Sequence, residues 1–200
     1  PTLNRTGRNP DGSPLKKETK ISDLTLDEVK QLDAGLHKGE KFKGERIPTL
    51  DEIIDFAKEA KIPLKIDNVL WTHSPADREK MFEALGKSGI GFGITCSKIS
   101  EVEELTKRLP MADVHFDGVV SEESLNALSK LVSPDKLWVW MRFDNQITSW
   151  NKSPPADENY ADMVKKVGKF AVWLLTTHEE ASRAKSLGAV IAETDGRLKP

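Results

Sequence analysis

One cysteine, Cys96, is present among the 200 residues, so an internal disulfide bond is excluded. No apolar run approaches the roughly 18 residues that span a bilayer, and no basic segment leads into an apolar one as in a signal peptide. The formal net charge is only −2, so no overall field attracts the chain to nucleic acid or to a membrane. We therefore predict no nucleic-acid partner and no transmembrane segment. The sequence does not distinguish a cytoplasmic protein from one that is extracellular after removal of a leader.

The composition is that of an ordinary globular domain with a core, because 38% of the residues are hydrophobic and 31% are charged. From residue 50 onward, short apolar runs alternate with amphipathic, charged stretches. The runs have the length of strands and are rich in β-branched and aromatic residues, and they lie at 62–67, 91–96, 114–118, 137–142, 170–175 and 189–194. This pattern predicts six strands.

The stretches between the runs carry helix-start signals. The predicted caps are Thr49, Ser74, Ser100, Ser121 and Thr177, and a further helix opens at 155–157. Strands separated by single helices pair in parallel, because each crossover returns the chain to the same edge of the sheet. Six strands and five helices fit an open doubly wound α/β sheet or most of a (β/α)8 TIM barrel. Polar residues at the strand ends favour the barrel.

Two pairs of polar residues stand at the ends of predicted strands. Lys65 and Asp67 share one side of the first strand, and His115 and Asp117 share one side of the third, because side chains two residues apart point the same way. In a barrel, polar residues near the carboxyl ends of strands face the active-site mouth. His115 and Asp117 match no catalytic motif, so we assign them no acid–base role from the sequence.

Four blocks near the start of the chain resemble the glycerophosphodiester phosphodiesterase (GDPD) family. They are LNRT at 3–6, SDLTLDEV at 22–29, LDAG at 32–35 and GERIPTL at 44–50. The resemblance implies a TIM barrel with a small insertion after its second strand, so that residues 1–48 form the insertion subdomain and 49–200 a partial barrel. The six runs are then strands three to eight, and the first two strands are missing from this sequence.

The resemblance also implies an activity. In this family, two histidines act as acid and base on a phosphodiester, and carboxylates hold a divalent cation, Ca²⁺ or Mg²⁺. The implied function is metal-dependent hydrolysis of a glycerophosphodiester, or of a glycerol-phosphate polymer such as teichoic acid, by a longer protein acting in lipid metabolism. The family's histidine motifs would lie before Pro1, and none of the four histidines here matches them. The alternative is a catalytically inactive GDPD-like barrel that serves as a binding or structural module in a larger assembly.

Four residues are candidate site residues. The family has Glu-Leu-Lys on strand three, whereas this chain has Lys65-Ile66-Asp67, with acid and base exchanged. We expect Asp67 to be a metal ligand and Lys65 to be the catalytic residue that neutralises the phosphate. Trp173 lies where the family has a pocket aromatic on strand seven, and Arg142 is expected to contact an anionic group of the substrate.

Each assignment has a structural alternative. Lys65 and Asp67 could form an ion pair that closes the end of the barrel, Trp173 could belong to the core, and Arg142 could form a surface salt bridge. The segment Glu193-Thr194-Asp195 fits an ordinary eighth strand, which we prefer, but it also resembles the metal-binding second strand of a permuted barrel. The test is whether Glu193 and Asp195 converge with Asp67.

A barrel that lacks two strands exposes two long edges, which proteins avoid leaving unpaired. We therefore expect the missing strands to come from an unlisted segment or from another chain, unless a rearranged sheet covers the gap. Because the resemblance implies that an upstream segment supplies both catalytic histidines, we expect this chain by itself to show no appreciable activity.

Overall fold

The computed structural model describes residues 3–143 and 155–194. Its centre is one sheet of six parallel strands in the order in which they occur along the chain, curled into a half-barrel. The strands are β1 (Leu64–Ile66), β2 (Phe92–Cys96), β3 (Asp113–Phe116), β4 (Leu137–Arg142), β5 (Lys169–Leu175) and β6 (Ile191–Thr194). The predicted α/β fold of the TIM-barrel type is confirmed.

The α-helices are α1 (Leu26–Gln31), α2 (Leu50–Ala60), α3 (Pro75–Lys87), α4 (Ile99–Arg108), α5 (Glu122–Leu131), α6 (Glu158–Lys165) and α7 (His178–Ser186). Ser74, Ser121 and Thr177 are N-caps, as predicted. The prediction of Ser100 as a cap is wrong. Helix α4 begins at Ile99 because the Glu101 carboxylate accepts hydrogen bonds from the amides of Ser97 and Lys98, at 2.8 and 3.2 Å.

None of the helices within the described ranges combines the length and the apolar character that a bilayer crossing requires. The chain divides into two compact units, Pro1–Phe56 and Ala57–Pro200.

In the first unit, the LDAG block has a structural role. The Asp33 carboxylate accepts hydrogen bonds from the amides of Gly35, Leu36 and Gly44, at 2.9, 2.7 and 2.6 Å. These bonds, the one from Gly44 foremost, hold the pKa of Asp33 below its ordinary value. A Cβ atom on Gly35 would come closer than 3.0 Å to the Phe42 carbonyl oxygen. Both residues are therefore required by the local turn.

In the second unit, alternation along the strands separates two faces of the sheet. The outer face carries fully buried apolar side chains such as Ile94, Val139 and Val172, and helices α4 and α6 contact its strands. The inner face carries the polar and aromatic residues, because Thr95 pairs in register with His115, His115 with Trp138, and Arg142 with Trp173. Polar and aromatic residues from the four strands β2 to β5 thus share the inside of the half-barrel.

A β-bulge interrupts β5. Val172 pairs with Ala192 and Leu175 with Thr194, so that Trp173 and Leu174 together stand opposite the single residue Glu193. Leu174 has φ of 65°, in the left-handed region that L-residues rarely adopt. The extra residue leaves Trp173 on the inner face and returns Leu175 to the buried outer one.

Candidate functional site

A cavity of about 410 Å³ lies on the inner face, toward the carboxyl ends of the strands. Its charged lining residues are Lys65, Asp67, Asp117 and Glu193, and its other lining residues are Asn68, Thr95, Trp140 and Trp173. We call it the upper cavity. The upper cavity lies at the carboxyl ends of parallel barrel strands, which is where active sites of this architecture lie.

Lys65 is the cation of the upper cavity. Its Nζ atom lies 2.7 Å from Glu193 Oε1 and 4.1 Å from the centroid of a Trp140 ring. The ion pair joins β1 to β6, the two edge strands of the sheet. The side chains are 31% and 49% exposed, so water weakens the attraction and leaves the ammonium accessible to a ligand. The ion pair described for Lys65 is thus with Glu193 and not with Asp67.

Asp67 lies directly after β1, in an exposed position. Its Oδ1 atom accepts a hydrogen bond of 2.9 Å from the amide of Asn68 and caps the short 3₁₀ segment Asn68–Thr72. The 3₁₀ segment begins with Asn68, which lines the same cavity as Asp67.

Asp117 is the second carboxylate at this rim. Its Oδ1 accepts from the Ser97 hydroxyl at 2.6 Å, and its Oδ2 accepts from the Asn68 side-chain amide at 3.1 Å. Burial raises the pKa of Asp117 above its ordinary value, the Ser97 hydrogen bond opposes the shift, and the charge of Asp67 adds to it. The protonated form of this carboxyl is thereby favoured more than at an exposed aspartate.

The structure places the four predicted site residues differently. Lys65, Asp67 and Trp173 all line the upper cavity. Arg142 ends β4 next to Trp173 in register and is 5% exposed, so it is buried rather than a surface residue, and it is not among the described lining residues. Its predicted contact with an anionic group remains a prediction.

Next to the upper cavity, three rings lie together on the inner face: those of His115, Trp138 and Trp140. The His115 ring lies between Trp138 and Trp140, with centroid distances of 5.5 and 5.8 Å. Trp140 Nε1 donates a 2.8 Å hydrogen bond to His115 Nδ1. Burial foremost, then the charge of Lys65, lowers the pKa of His115 to about 4. His115 is therefore neutral near pH 7, with Nδ1 already engaged.

The oxygen atoms of the upper cavity suit a hard divalent cation in their chemistry. Within residues 3–143 and 155–194, however, no three acidic, histidine or cysteine side chains lie close enough together to hold a metal ion. Glu193 contacts Lys65 instead. Asp195, the further ligand considered from the sequence, lies outside the described residues. Asp67 as a metal ligand therefore stays a prediction.

The sequence matches one known enzyme over part of its length. A glycerophosphodiester phosphodiesterase from Caldanaerobacter subterraneus subsp. tengcongensis is 42% identical over 69 residues, which are 32% of this chain and 27% of that protein. No family model matches the chain.

The fold matches solved structures over almost the whole chain. One is a glycerophosphoryl diester phosphodiesterase from Parabacteroides distasonis, with a TM-score of 0.67, 20% identity, and coverage of 97% of this chain and 65% of that one. Another is an Oleispira antarctica phosphodiesterase in complex with the product sn-glycerol-3-phosphate, with a TM-score of 0.68, 17% identity, and coverage of 97% and 72%.

Over those 69 residues the chain is similar to a glycerophosphodiester phosphodiesterase, and its fold is the one that the solved phosphodiesterases have. The chain spans 27% of the length of the relative that it matches in sequence and 65% of the Parabacteroides structure. The activity of the whole protein is therefore a matter for proposal.

Within the half-barrel, β6 pairs with β5, its predecessor in the chain, as the ordinary eighth strand would. Glu193 and Asp67 do line one cavity. Sequence reasoning missed Thr95, Asn68 and Trp140 as lining residues. Strand alternation could have placed Thr95 and Trp140 on the inner face, whereas the position of Asn68 depends on the turn after β1.

Proposed function

We propose that the glycerol-phosphate part of a glycerophosphodiester binds in the upper cavity, and that the protein containing this chain hydrolyses the phosphodiester bond. One observation carries the proposal: an accessible ammonium, that of Lys65, lies among polar side chains at the carboxyl ends of the strands of a GDPD-type fold. The Oleispira neighbour, which holds sn-glycerol-3-phosphate, supports this class of ligand.

Lys65 supplies charge neutralisation in this proposal. A phosphate oxygen competes with the Glu193 carboxylate for the ammonium, and the competition is possible because both side chains are partly exposed. A positive group placed where phosphate charge develops stabilises the transition state of its transfer. Trp173 and Trp140 offer apolar ring surface to the carbon atoms of the glycerol part.

The proposal keeps a divalent cation, Ca²⁺ or Mg²⁺, with Asp67 as one of its ligands. When bound, such a cation polarises a phosphoryl oxygen and neutralises its charge. The family's acid–base histidine motifs do not occur in this sequence. His115 is not assigned their role, because its Nδ1 accepts the hydrogen bond from Trp140.

A glycerol-phosphate polymer such as teichoic acid presents the same phosphodiester and glycerol groups as a small glycerophosphodiester, and it is included in the proposed substrate class. The upper cavity is open to solvent at the exposed Lys65–Glu193 pair, so a chain of linked units is not blocked there.

The second candidate function is that of an inactive binding module. Two observations favour it: Lys65 and Asp67 stand in the exchanged order, and the described part of the chain brings no three metal-ligating side chains together. A module of this kind would bind the glycerol-phosphate group without cleaving the ester.

The deciding test is hydrolysis of sn-glycero-3-phosphocholine by the full-length protein, with release of sn-glycerol 3-phosphate measured in the presence of Ca²⁺, Mg²⁺ or EDTA. We expect turnover that depends on a divalent cation and that Asp67→Ala abolishes. Absence of turnover with every cation, together with retained binding of sn-glycerol 3-phosphate, would favour the binding module.

Lys65→Met is expected to lower kcat/KM for this substrate by about 100-fold, because removal of a charge-assisted contact to phosphate costs about 1.5–3 kcal/mol. The matched control is Lys169→Met. Lys169 also lies over a tryptophan ring, 4.3 Å from the centroid of Trp138, but it does not line the upper cavity. Equal losses in the two variants would refute a specific role for Lys65.

A further inference from the structure

Thr95 has a buried hydroxyl group whose partner is not part of the protein as described. The residue is 1% exposed, and its Oγ1 atom makes no hydrogen bond within residues 3–143 and 155–194. The carbonyl oxygen of Thr95, in contrast, accepts a 2.7 Å hydrogen bond from Trp71 Nε1. A buried hydroxyl without a partner costs about 1–3 kcal/mol, so such groups in native proteins are normally bonded.

The position of Thr95 indicates where that partner comes from, because Thr95 lines the upper cavity. It stands beside His115 in the register of β2 and β3. On its other side, Ile94 pairs with Ile66, so that Asp67 is the next residue along β1. Thr95 therefore lies on the part of the cavity wall that β2 forms, level with Asp67 on one side and His115 on the other.

The polar groups that line the cavity together with Thr95 have the chemistry that recognises a polyol. Asp117 and Asn68 hydrogen-bond to each other at the rim, and both line the same cavity as Thr95. Carboxyl, amide and hydroxyl groups can donate or accept, as the hydroxyl groups of a glycerol can. Lys65 is the cation among the described lining residues, so a phosphate group has one positively charged partner there while the uncharged polar groups are left for hydroxyl groups.

We propose that Thr95, together with Asp117, forms a subsite that binds the free hydroxyl groups of the glycerol part, while Lys65 binds the phosphate. Thr95 is then a specificity-determining residue that selects a substrate with hydroxyl groups over one without them. This inference rests on the proposed function, since it divides the same cavity into two parts.

The test compares three ligands by titration calorimetry: sn-glycerol 3-phosphate, n-propyl phosphate and inorganic phosphate. n-Propyl phosphate has the same number of carbon atoms as glycerol phosphate but no hydroxyl groups. Thr95→Val keeps the shape of the side chain and removes its hydroxyl. We expect it to weaken binding of sn-glycerol 3-phosphate by about 10-fold, the value of one hydrogen bond of about 1.4 kcal/mol. Binding of the other two ligands should change by less than about twofold.

Two further variants serve as controls. Thr95→Ser keeps the hydroxyl and should retain most of the affinity for sn-glycerol 3-phosphate. Lys65→Met should weaken binding of all three ligands, because all carry a phosphate. In the absence of ligand, Thr95→Val should melt at the same temperature as the wild type or higher, because it removes an unbonded buried polar group.

Three results would overturn the subsite alone, and a fourth would overturn the proposed function as well. If Thr95→Val weakens binding of sn-glycerol 3-phosphate and of n-propyl phosphate equally, the Thr95 hydroxyl contacts the phosphate group and not the glycerol hydroxyl groups. Unchanged affinity in a folded Thr95→Val would show that Thr95 does not contact the ligand. A lowered melting temperature or loss of folding would show that the hydroxyl is bonded within the protein. Failure of the wild type to bind sn-glycerol 3-phosphate would refute the proposed function itself, and the subsite with it.

Discussion

The free energy of unfolding is expected to fall by about 3 kcal/mol between pH 7 and pH 4 through His115 alone. The pKa of this residue is lowered from its ordinary value of 6.5 to about 4 in the folded protein. Between those two values the unfolded chain binds a proton that the folded chain does not, so stability decreases as the pH falls. Each unit of the shift corresponds to about 1.4 kcal/mol.

Burial and the charges of three neighbouring residues act on the pKa of this histidine. Burial is the largest, and the charges of Lys65 on β1 and Lys169 on β5 act in the same direction, whereas Asp113 opposes them. The hydrogen bond from Trp140 Nε1 also favours the neutral ring, because a protonated Nδ1 would present a second donor to the indole N–H.

The measurement is urea denaturation of the wild type and of His115→Asn from pH 4 to pH 8. The asparagine side-chain oxygen can accept the hydrogen bond from Trp140 but does not titrate. The other ionisable groups are common to both proteins, so the difference in their free energies of unfolding isolates His115. We expect that difference to move in favour of the wild type as the pH rises from about 4 to about 6.5, and then to level off. Parallel pH profiles would contradict the neutral, buried histidine.

Gly93→Ala is expected to destabilise the protein by about 2 kcal/mol, a typical cost of inserting a group into a filled space. A Cβ atom on Gly93 would come closer than 3.0 Å to two atoms of the His115 ring. The ring cannot move aside freely, because it is stacked on Trp138 with an interplanar angle of 1° and is bonded to Trp140. The change can be measured by urea denaturation at pH 7.

Gly91→Ala is the matched control for this substitution. Gly91 lies two residues earlier in the chain, and a Cβ atom there would be 3.6 Å from Pro63 Cβ, which is ordinary contact. It should change stability by much less than Gly93→Ala does. Replacement of the ring in the double variant Gly93→Ala, His115→Ala should remove the penalty of the added methyl group. A penalty that persists without the ring would refute the proposed contact.

Local patterns were sufficient to predict the strands and most helix starts. Ser74, Ser121 and Thr177 cap helices through their own side chains, which a short sequence window contains. At α4 the capping carboxylate belongs to Glu101, inside the helix, and the serine at position 100 misled the prediction. The residue type at the cap position does not reveal a hydrogen bond that an amide outside the helix donates to a side chain within it.

Site residues could be predicted from the sequence only where the alternation of side chains along a single strand determines their position. Lys65 and Asp67 are two residues apart in the sequence, so strand alternation places both at the mouth of the half-barrel. The contacts of Asp117 with Ser97 and Asn68 join three segments of the chain. Such contacts depend on the register between neighbouring strands, which the pattern of a single strand does not contain.

The blocks that revealed the family are informative about folding rather than about the reaction. Asp33 and Gly35 in the LDAG block satisfy backbone amides and allow a close approach of the chain to itself. Neither residue belongs to the upper cavity. A chain can therefore keep these blocks whether or not it keeps the chemistry of its relatives.

The bulge in β5 has a consequence for how this chain should be aligned with its relatives. The one inserted residue lies in β5 between Val172 and Leu175, so a relative with a regular strand would need a one-residue gap here. An ungapped alignment that matches Trp173 correctly would misplace every later residue by one, up to the next insertion or deletion. Deletion of Leu174 in this protein would remove the left-handed residue and make the strand regular, while Leu175, then directly after Trp173, would stay on the buried outer face.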